Sequence, residues 1–372
     1  MTRIARVDVL RFHRTLDGRA WNPSFRWRER QAPLLAVHLD NGAWGLGEAW
    51  SAPADPAPVL AELANDVAPR LLGMRIDAPG GWRCPPASSA QVAAAWSAAD
   101  MACWDAHART RGIPLWRALG GTDGVAAVYA SGGLYRDGAH PADLAAEMRG
   151  YVAAGHTAVK MKIGALGLEP DCARVAAVRA AVGPGTRLWA DAVNQLTRDD
   201  APAWCERLRT YGVQALQAPL PFDDVAGMAD INRSMPVIAT EAEYLEQRFA
   251  ALLEARAVGY LQFCLGLCGG FSGAQRLDAQ AAALGVPSTP QTYATAVMQT
   301  ATLHFAAASR NVAIAEYHEF HDHLRHLAPP AARRIAAGRV ALGDAPGMGI
   351  AVPAPGRQAD RSTIEPFATL LR

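Results

Sequence analysis

The sequence predicts an α/β protein: a (β/α)8 TIM-type barrel with an α+β capping domain formed by the N-terminal part and the C-terminal tail. Three observations carry this. Alternating, strand-like residues fill the first 55 positions and helical segments follow them. Past Gly120-Gly121, eight short apolar runs alternate with seven helical stretches. Polar residues near the ends of the later runs, at positions 162, 191, 217, 241, 264, 291 and 316, are spaced 23 to 29 residues apart. A repeated βα unit has about that length. A doubly wound sheet is the competing architecture, but no glycine-rich phosphate fingerprint follows any run. The boundaries expected are 1–122 for the capping domain, with 343–372 returning to it, and 123–342 for the barrel.

Each element has its own reason. Residues 4–12 alternate and read as a strand. Residues 34–39 and 44–50 flank Asp40-Asn41-Gly42 and read as a hairpin with an Asn-Gly turn. Between these strands, residues 15–31 are polar and aromatic and read as a loop. Residues 56–75 read as helical. A strong helix spans 89–111, where Val92, Ala95, Ala99, Ala102, Cys103 and Ala106 recur at spacings of three and four. Gly112-Ile113-Pro114 ends it. The eight barrel runs are 125–131, 158–163, 188–191, 215–216, 237–240, 260–264, 286–291 and 312–316. Helices are expected at 141–154, 172–181, 198–211, 225–234, 245–257, 271–283 and 294–308. The segment 344–350 reads as a turn and a short strand.

Composition narrows the function. The chain has 372 residues, with 36 Lys and Arg against 35 Asp and Glu. So balanced a charge argues against a nucleic-acid partner, since such binders carry a basic excess. No run of 18 apolar residues exists, so no membrane span is expected. The first 16 residues lack the apolar stretch of a secretion signal, and the six Cys are scattered. Free thiols and a cytoplasmic location are expected.

In such a barrel the chemistry belongs at the carboxyl ends of the strands. Lys160-Met161-Lys162 closes the second run, and strand alternation turns both lysines inward. Two neighbouring interior ammoniums repel and resist desolvation, which suits one of them to act as a general base. Ordinary lysines paired with carboxylates are the alternative. Asp191 ends the third run and Glu241 follows the fifth; two carboxylates there suit Mg²⁺, though capping or lysine pairing would also account for them. Between them stands Gln217, whose neutral oxygen weakens such a site by one charge. Glu316 ends the eighth run and is a candidate to hydrogen-bond a substrate carboxylate, or simply to pair with a lysine. His318, His321, His323 and His326 follow it, as an acid, a metal site or a solvated face. Cys264 and Cys268 are either reactive thiols or buried filler.

These residues resemble the enolase superfamily, in the branch of mandelate racemase and muconate lactonizing enzyme. The resemblance covers nearly the whole chain. Gly42-Ala43-Trp44-Gly45-Leu46-Gly47-Glu48 is similar to the family's capping hairpin. The stretch Ser97-Ala98-Ala99-Asp100-Met101-Ala102-Cys103-Trp104-Asp105, with Gly112-Ile113-Pro114-Leu115 and Leu119-Gly120-Gly121, resembles its domain-joining helix and turn. Lys160-Met161-Lys162 resembles its K-x-K motif, Gly269-Gly270 its glycine pair, and Asp344-Ala345-Pro346-Gly347-Met348-Gly349 its closing turn. The resemblance implies Lys162 as base with Lys160 beside it, and Asp191, Gln217 and Glu241 at the three metal-ligand positions. It further implies Mg²⁺ stabilising an enediolate, a small carboxylate substrate, a lid at 15–31 with Trp21, Phe25 and Trp27, and a homo-oligomer. Arg26, Arg28 and Arg30 in that lid are candidates to recognise an anion, or a charged surface.

The chain departs from the family at several positions. Gln217 replaces the second acidic ligand, and Val193 stands where relatives commonly carry Asn, with Asn194 one place on. The opposite-face positions hold Cys264 and Gln291, and Gln has no titratable group. A two-base racemase is therefore disfavoured. An acid-sugar dehydratase-like lyase using Lys162 on one face, or a racemase/isomerase-type enzyme, is expected. The alternatives are a catalytically impaired relative that binds a small acid, and a metal-independent lyase or isomerase.

Overall fold

The computed structural model describes residues 2–51, 55–76, 87–239, 242–293 and 295–372. The N-terminal strands are β1 (Ile4–Thr15), β2 (Ala20–Trp21), β3 (Glu29–Leu39) and β4 (Trp44–Glu48), and all but β2 belong to the first sheet. β1, β3 and β4 pair antiparallel. The turn between β3 and β4 closes where expected, with Gly42 at φ +85°, a conformation that costs glycine little. The expected loop at 15–31 is shorter than its composition suggests. Thr15 pairs with Glu29, so β1 and β3 extend into it, and β2 lies inside it. The helices are α1 (Ala57–Glu62), a π-helical turn at Leu63–Val67, α2 (Ala68–Leu71), α3 (Ala90–Thr110) and α4 (Leu115–Ala118). Ser89 caps α3 by accepting from the Val92 N–H.

Small residues let α3 lie directly on the hairpin. A Cβ on Gly47 would come within 1.9 Å of the Ala98 carbonyl oxygen, and one on Gly45 within 2.1 Å of that of Ala102. The motif glycines therefore mark a backbone-to-backbone contact.

The barrel runs through β5 (Val125–Ser131), β6 (Tyr135–Arg136), α5 (Pro141–Ala153), β7 (Ala158–Lys162), α6 (Leu168–Val182), β8 (Arg187–Asp191), α7 (Ala201–Thr210) and β9 (Val213–Gln217). It continues through α8 (Val225–Asn232), β10 (Val237–Ala239), α9 (Glu246–Glu254), β11 (Tyr260–Leu261), α10 (Gly270–Ala283), α11 (Ala296–Ala308) and β12 (Ala315–His318). The parallel order is β11-β10-β9-β8-β7-β5-β12. The run at 286–291 forms no regular strand. Single bridges close the ring there, from Ser288 to Leu261 and Val312 and from Gln291 to Cys264. Pro287 and Pro290 explain this. Their carbonyls accept from Leu261 and Glu316, but neither has an N–H to return. The short pair β2 and β6 was not anticipated; it ties the residues near Trp21 to the barrel.

The tail adds β13 (Arg339–Ala341), antiparallel to β5, then β14 (Gly356–Arg357) and β15 (Thr363–Leu371), antiparallel to β1. Asp105 of α3 clamps the closing turn: its carboxylate accepts from the Met348 N–H at 2.7 Å and the Leu46 N–H at 3.1 Å. Among the described residues, no helix is long and apolar enough to cross a membrane.

Inside the barrel, Trp189 packs on Tyr129 and Tyr260 at 4.8 and 5.4 Å between ring centroids. Ala158, Ala215, Ile238 and Ile314 complete this apolar layer. It is the floor on which the polar layer stands.

Candidate active site

Two residues further along each strand, the inward face turns from apolar to polar. Ala158 gives way to Lys160, Trp189 to Asp191, Ala215 to Gln217 and Ile314 to Glu316, because side chains alternate with period two. Lys160 is 1% exposed and lies at the centre. Its Nζ donates to Asp191 Oδ2 at 2.8 Å, Gln217 Oε1 at 3.0 Å and Glu316 Oε1 at 2.9 Å. Lys162 also donates to Asp191 Oδ2. The structure thus brings Lys160, Lys162, Asp191, Gln217 and Glu316 together, from four strands. Glu241 lies outside the described residues.

The remaining lone pairs of the acids are used as well. Asp191 Oδ1 accepts from the Val193 N–H at 3.0 Å, and Glu316 Oε2 from the Thr292 N–H at 2.9 Å. Burial alone would raise both carboxyls; the lysine charges outweigh it, and both are held below the usual carboxylate range. Val193 has φ +51°, a strained conformation for a β-branched residue. Its N–H, not its side chain, serves Asp191.

The metal-ligand positions that are described provide one carboxylate and one amide oxygen. Lys160 already rests on both, and Asp191 carries two ammoniums. Such a set fits a divalent cation weakly, since Mg²⁺ prefers anionic oxygens. Among the described residues no group of three or more His, Cys, Asp or Glu is placed to hold a metal.

On the other side, Cys264 bridges to Gln291, and both are buried. Cys268 is buried too, and burial pushes its thiol well up, which suits filler and not a nucleophile. Trp21 stacks on Tyr135 at 4.6 Å. Arg26 makes a two-bond pair with Asp137 at 2.5 and 3.0 Å, away from the lysine cluster. The histidines differ from a solvated face. His318, His321 and His323 are at most 5% exposed, and only His326 is exposed, reaching Gln358. Burial lowers His318 and His323 to about 3 and holds His321 well below its usual value, so these three are neutral imidazoles.

Sequence reasoning passed over Gln262, whose side-chain Nε2 and Oε1 are buried without partners. Its signal was available: it stands two residues before Cys264, on the same inward face. It also passed over the role of Glu48 outside its motif. Glu48 accepts from Thr295 N and Oγ1 and from Met298 N, at 3.1, 2.6 and 3.0 Å, fixing the start of α11. That contact joins residues far apart in the chain and leaves no local trace.

Comparison with known proteins bears on this arrangement. The family model described as "Enolase C-terminal domain-like" matches residues 143–355. That described as "Mandelate racemase / muconate lactonizing enzyme, N-terminal domain" matches residues 24–120. The chain is 29% identical over 382 residues to a D-galactarolactone cycloisomerase of Agrobacterium fabrum, covering 93% of this chain and 96% of that protein. It is 28% identical over 258 residues to an arabinonate dehydratase of Saccharolobus solfataricus, covering 69% of each. A racemase from Streptomyces coelicolor A3(2), solved with bound magnesium, superposes with a TM-score of 0.83 at 24% identity, covering 94% of this chain and 97% of the other.

Proposed function

The chain belongs to the mandelate racemase and muconate lactonizing enzyme branch of the enolase superfamily, and from that premise we propose that it removes the proton alpha to the carboxylate of a small acid. Relatives include acid-sugar dehydratases, cycloisomerases and epimerases. The observation that carries the reading is the shared Asp191. Lys160 lies between two carboxylates, whereas Lys162 shares one that Lys160 already holds. Among the described residues Lys162 is thus the lysine with less counter-charge, and it is the proposed base.

Lys160 keeps its proton, held by three oxygens. Its ammonium is a fixed positive charge beside the place where an enediolate would gather negative charge, and such preorganised charge is the largest contribution in reactions of this kind. Glu316, anchored by Lys160 and the Thr292 N–H, orients Lys160. The two opposite-face positions hold Cys264 and Gln291, which do not make an ordinary acid–base pair. The chemistry that fits is one-sided: Lys162 takes the proton and returns it to a leaving hydroxyl on the same face, a syn elimination. Magnesium, where it binds, would be held by Asp191, Gln217 and Glu241 and would add positive charge at the enediolate.

Solvent deuterium exchange into a panel of acid sugars, followed by NMR, tests the proposal. Exchange at the alpha carbon is expected with at least one acid and is lost in Lys162→Met. If no acid exchanges, with or without Mg²⁺, proton abstraction is refuted. The second reading, a relative that binds a small acid without this chemistry, is favoured by Gln217 and by the ammonium resting on it. Binding without exchange is its signature.

A further inference from the structure

His318 is a buried polar group beside the lysines that the proposed reaction does not use. It ends β12, and the period of two that turns Ile314 and Glu316 inward turns His318 inward as well, one layer above Glu316. Along the sheet it is level with Ser131 of β5, which is level with Lys160 of β7. Neighbouring strands lie about 4.8 Å apart, so only two strand spacings separate His318 from the lysine strand. Its ring is within electrostatic reach of Glu316, Lys160, Lys162 and Arg30.

Geometry assigns the proton on this ring. Nδ1 accepts from the backbone N–H groups of Phe320 and His321, each at 3.3 Å. A backbone N–H only donates, so Nδ1 carries no proton, and the neutral ring bears its proton on Nε2. Burial, the larger effect, and the nearby cations favour the same neutral form and outweigh Glu316. The ring is also held in place. The His318 N–H donates to Gln299 Oε1 at 2.8 Å, and the His321 ring lies 4.2 Å away. His321 Nδ1 and His323 Nε2 are fully enclosed without partners. No hydrogen bond joins His318 Nε2 to any described residue either, but 5% of this residue remains open. His318 thus holds out a fixed N–H that has nothing to donate to until a ligand arrives, and such a donor is costly to keep unmet.

Removing a proton beside a carboxylate gathers negative charge on the carboxylate oxygens. A neutral imidazole N–H beside them bonds more strongly as that charge grows, and it does not repel Lys160 or Lys162 as an imidazolium would. We propose that His318 Nε2–H donates a hydrogen bond to a carboxylate oxygen of the bound acid, the oxygen on which charge gathers as the enediolate forms. The proposal deepens the proton-abstraction reading and rests on it for the place of that carboxylate. No proton leaves the ring: Lys162 takes the alpha proton, and His318 keeps its own throughout.

Two readouts test this, with arabinonate and L-glucarate among the acids. The first is alpha-carbon exchange at saturating acid. His318→Phe keeps a ring and removes the donor; it is expected to slow exchange about 100-fold, the effect of one lost oxyanion donor. Affinity measured by calorimetry should stay within about threefold, because the bond strengthens mainly in the transition state. His318→Gln places an amide N–H near the lost Nε2 and is expected to regain about tenfold of the loss. A residue that had to pass its proton on would not be rescued by Gln, which has no titratable group. The second readout is nitrogen-15 NMR of histidine-labelled protein, with the His318 signal identified by its loss in His318→Gln. Wild type should show a neutral ring protonated at Nε2, and that N–H should shift when an acid binds. This readout carries the test should His318→Phe not fold. Exchange in His318→Phe within about threefold of wild type, equal losses in the Phe and Gln variants, or an Nε2–H that no acid shifts overturns the proposal. A shift on binding without exchange in wild type removes Lys162 as base and keeps the donor. Exchange that His318→Phe leaves intact removes the donor and keeps the base.

Discussion

Lys160 and Lys162 differ by two positions on one strand, yet their surroundings differ by one carboxylate. Lys160→Met would leave Asp191 and Glu316 buried without their shared ammonium. Breaking a buried pair costs about 3–5 kcal/mol, so thermal unfolding should reveal a much less stable protein. Lys162→Met leaves Asp191 with Lys160 and should cost less in stability. It should instead lower alpha-proton exchange by roughly 100-fold or more, the range of a lost general base. Gln217→Glu adds a carboxylate beside Lys160 and Asp191. It should bind Mg²⁺ at least about tenfold tighter than wild type by calorimetry, because hard cations favour anionic oxygens. An unchanged affinity would remove position 217 from the metal site.

At the scale of elements, the polar cluster depends on the apolar layer beneath it and on the helix starts around it. Trp189 is the largest fully buried side chain among the described residues. Trp189→Ala would open a cavity on β8, one turn of the strand below Asp191. A loss of about 3–5 kcal/mol is expected, and exchange activity should fall with it as Asp191 loses its fixed position. Glu48, on β4, is pushed up to about 7 by burial, despite its three donors and the charge of Arg30. The folded pKa lies above the unfolded one, so the folded state keeps a proton that the unfolded state releases between about pH 4.5 and 7. Stability from this group is present at low pH and is lost as pH rises through that window. Whatever Glu48→Gln costs at pH 5, its deficit relative to wild type should shrink by pH 8, as read from denaturant midpoints.

For the whole molecule, buried imidazoles set the opposite trend. His304 on α11 accepts from the Trp116 N–H at 3.0 Å, and burial lowers it to about 3, as it does His318 and His323. Their folded values lie below the unfolded one, so the unfolded state takes up protons that the folded state refuses as pH falls below about 6.5. Each therefore takes stability away progressively as pH falls below that point. The protein should be acid-labile, and the advantage of wild type over His304→Asn should narrow on acidification. An unchanged difference between pH 7 and 5 would show that His304 is not held neutral.

Much of this was legible in order along the chain. The spacing of strand ends, the Asn-Gly turn and the K-x-K pattern each report a local period or a local turn, and these survive folding because a strand must alternate and a βα unit must return. The seventh run misled, because Val286 to Gln291 reads as apolar while Pro287 and Pro290 remove the donors a ladder needs. The histidines misled in the other direction: polar residues in a row suggest water, and nothing nearby in sequence reveals that Trp27 and Phe320 cover them. Arg26 and Arg30 look alike in sequence, but one pairs with Asp137 at the surface and the other is sealed in the interior.

The sequence alone pointed to the family through its motifs, to a barrel through the spacing of its βα units, and to Lys162, Asp191 and Gln217 as residues that end strands. Only the tertiary structure decided that one carboxylate serves two lysines, that Gln217 receives an ammonium, and that two backbone N–H groups fix which nitrogen of His318 carries the proton. Such facts depend on distances between residues dozens to hundreds of positions apart. Charge, burial and hydrogen-bond pairing are properties of those distances, and no local pattern encodes them.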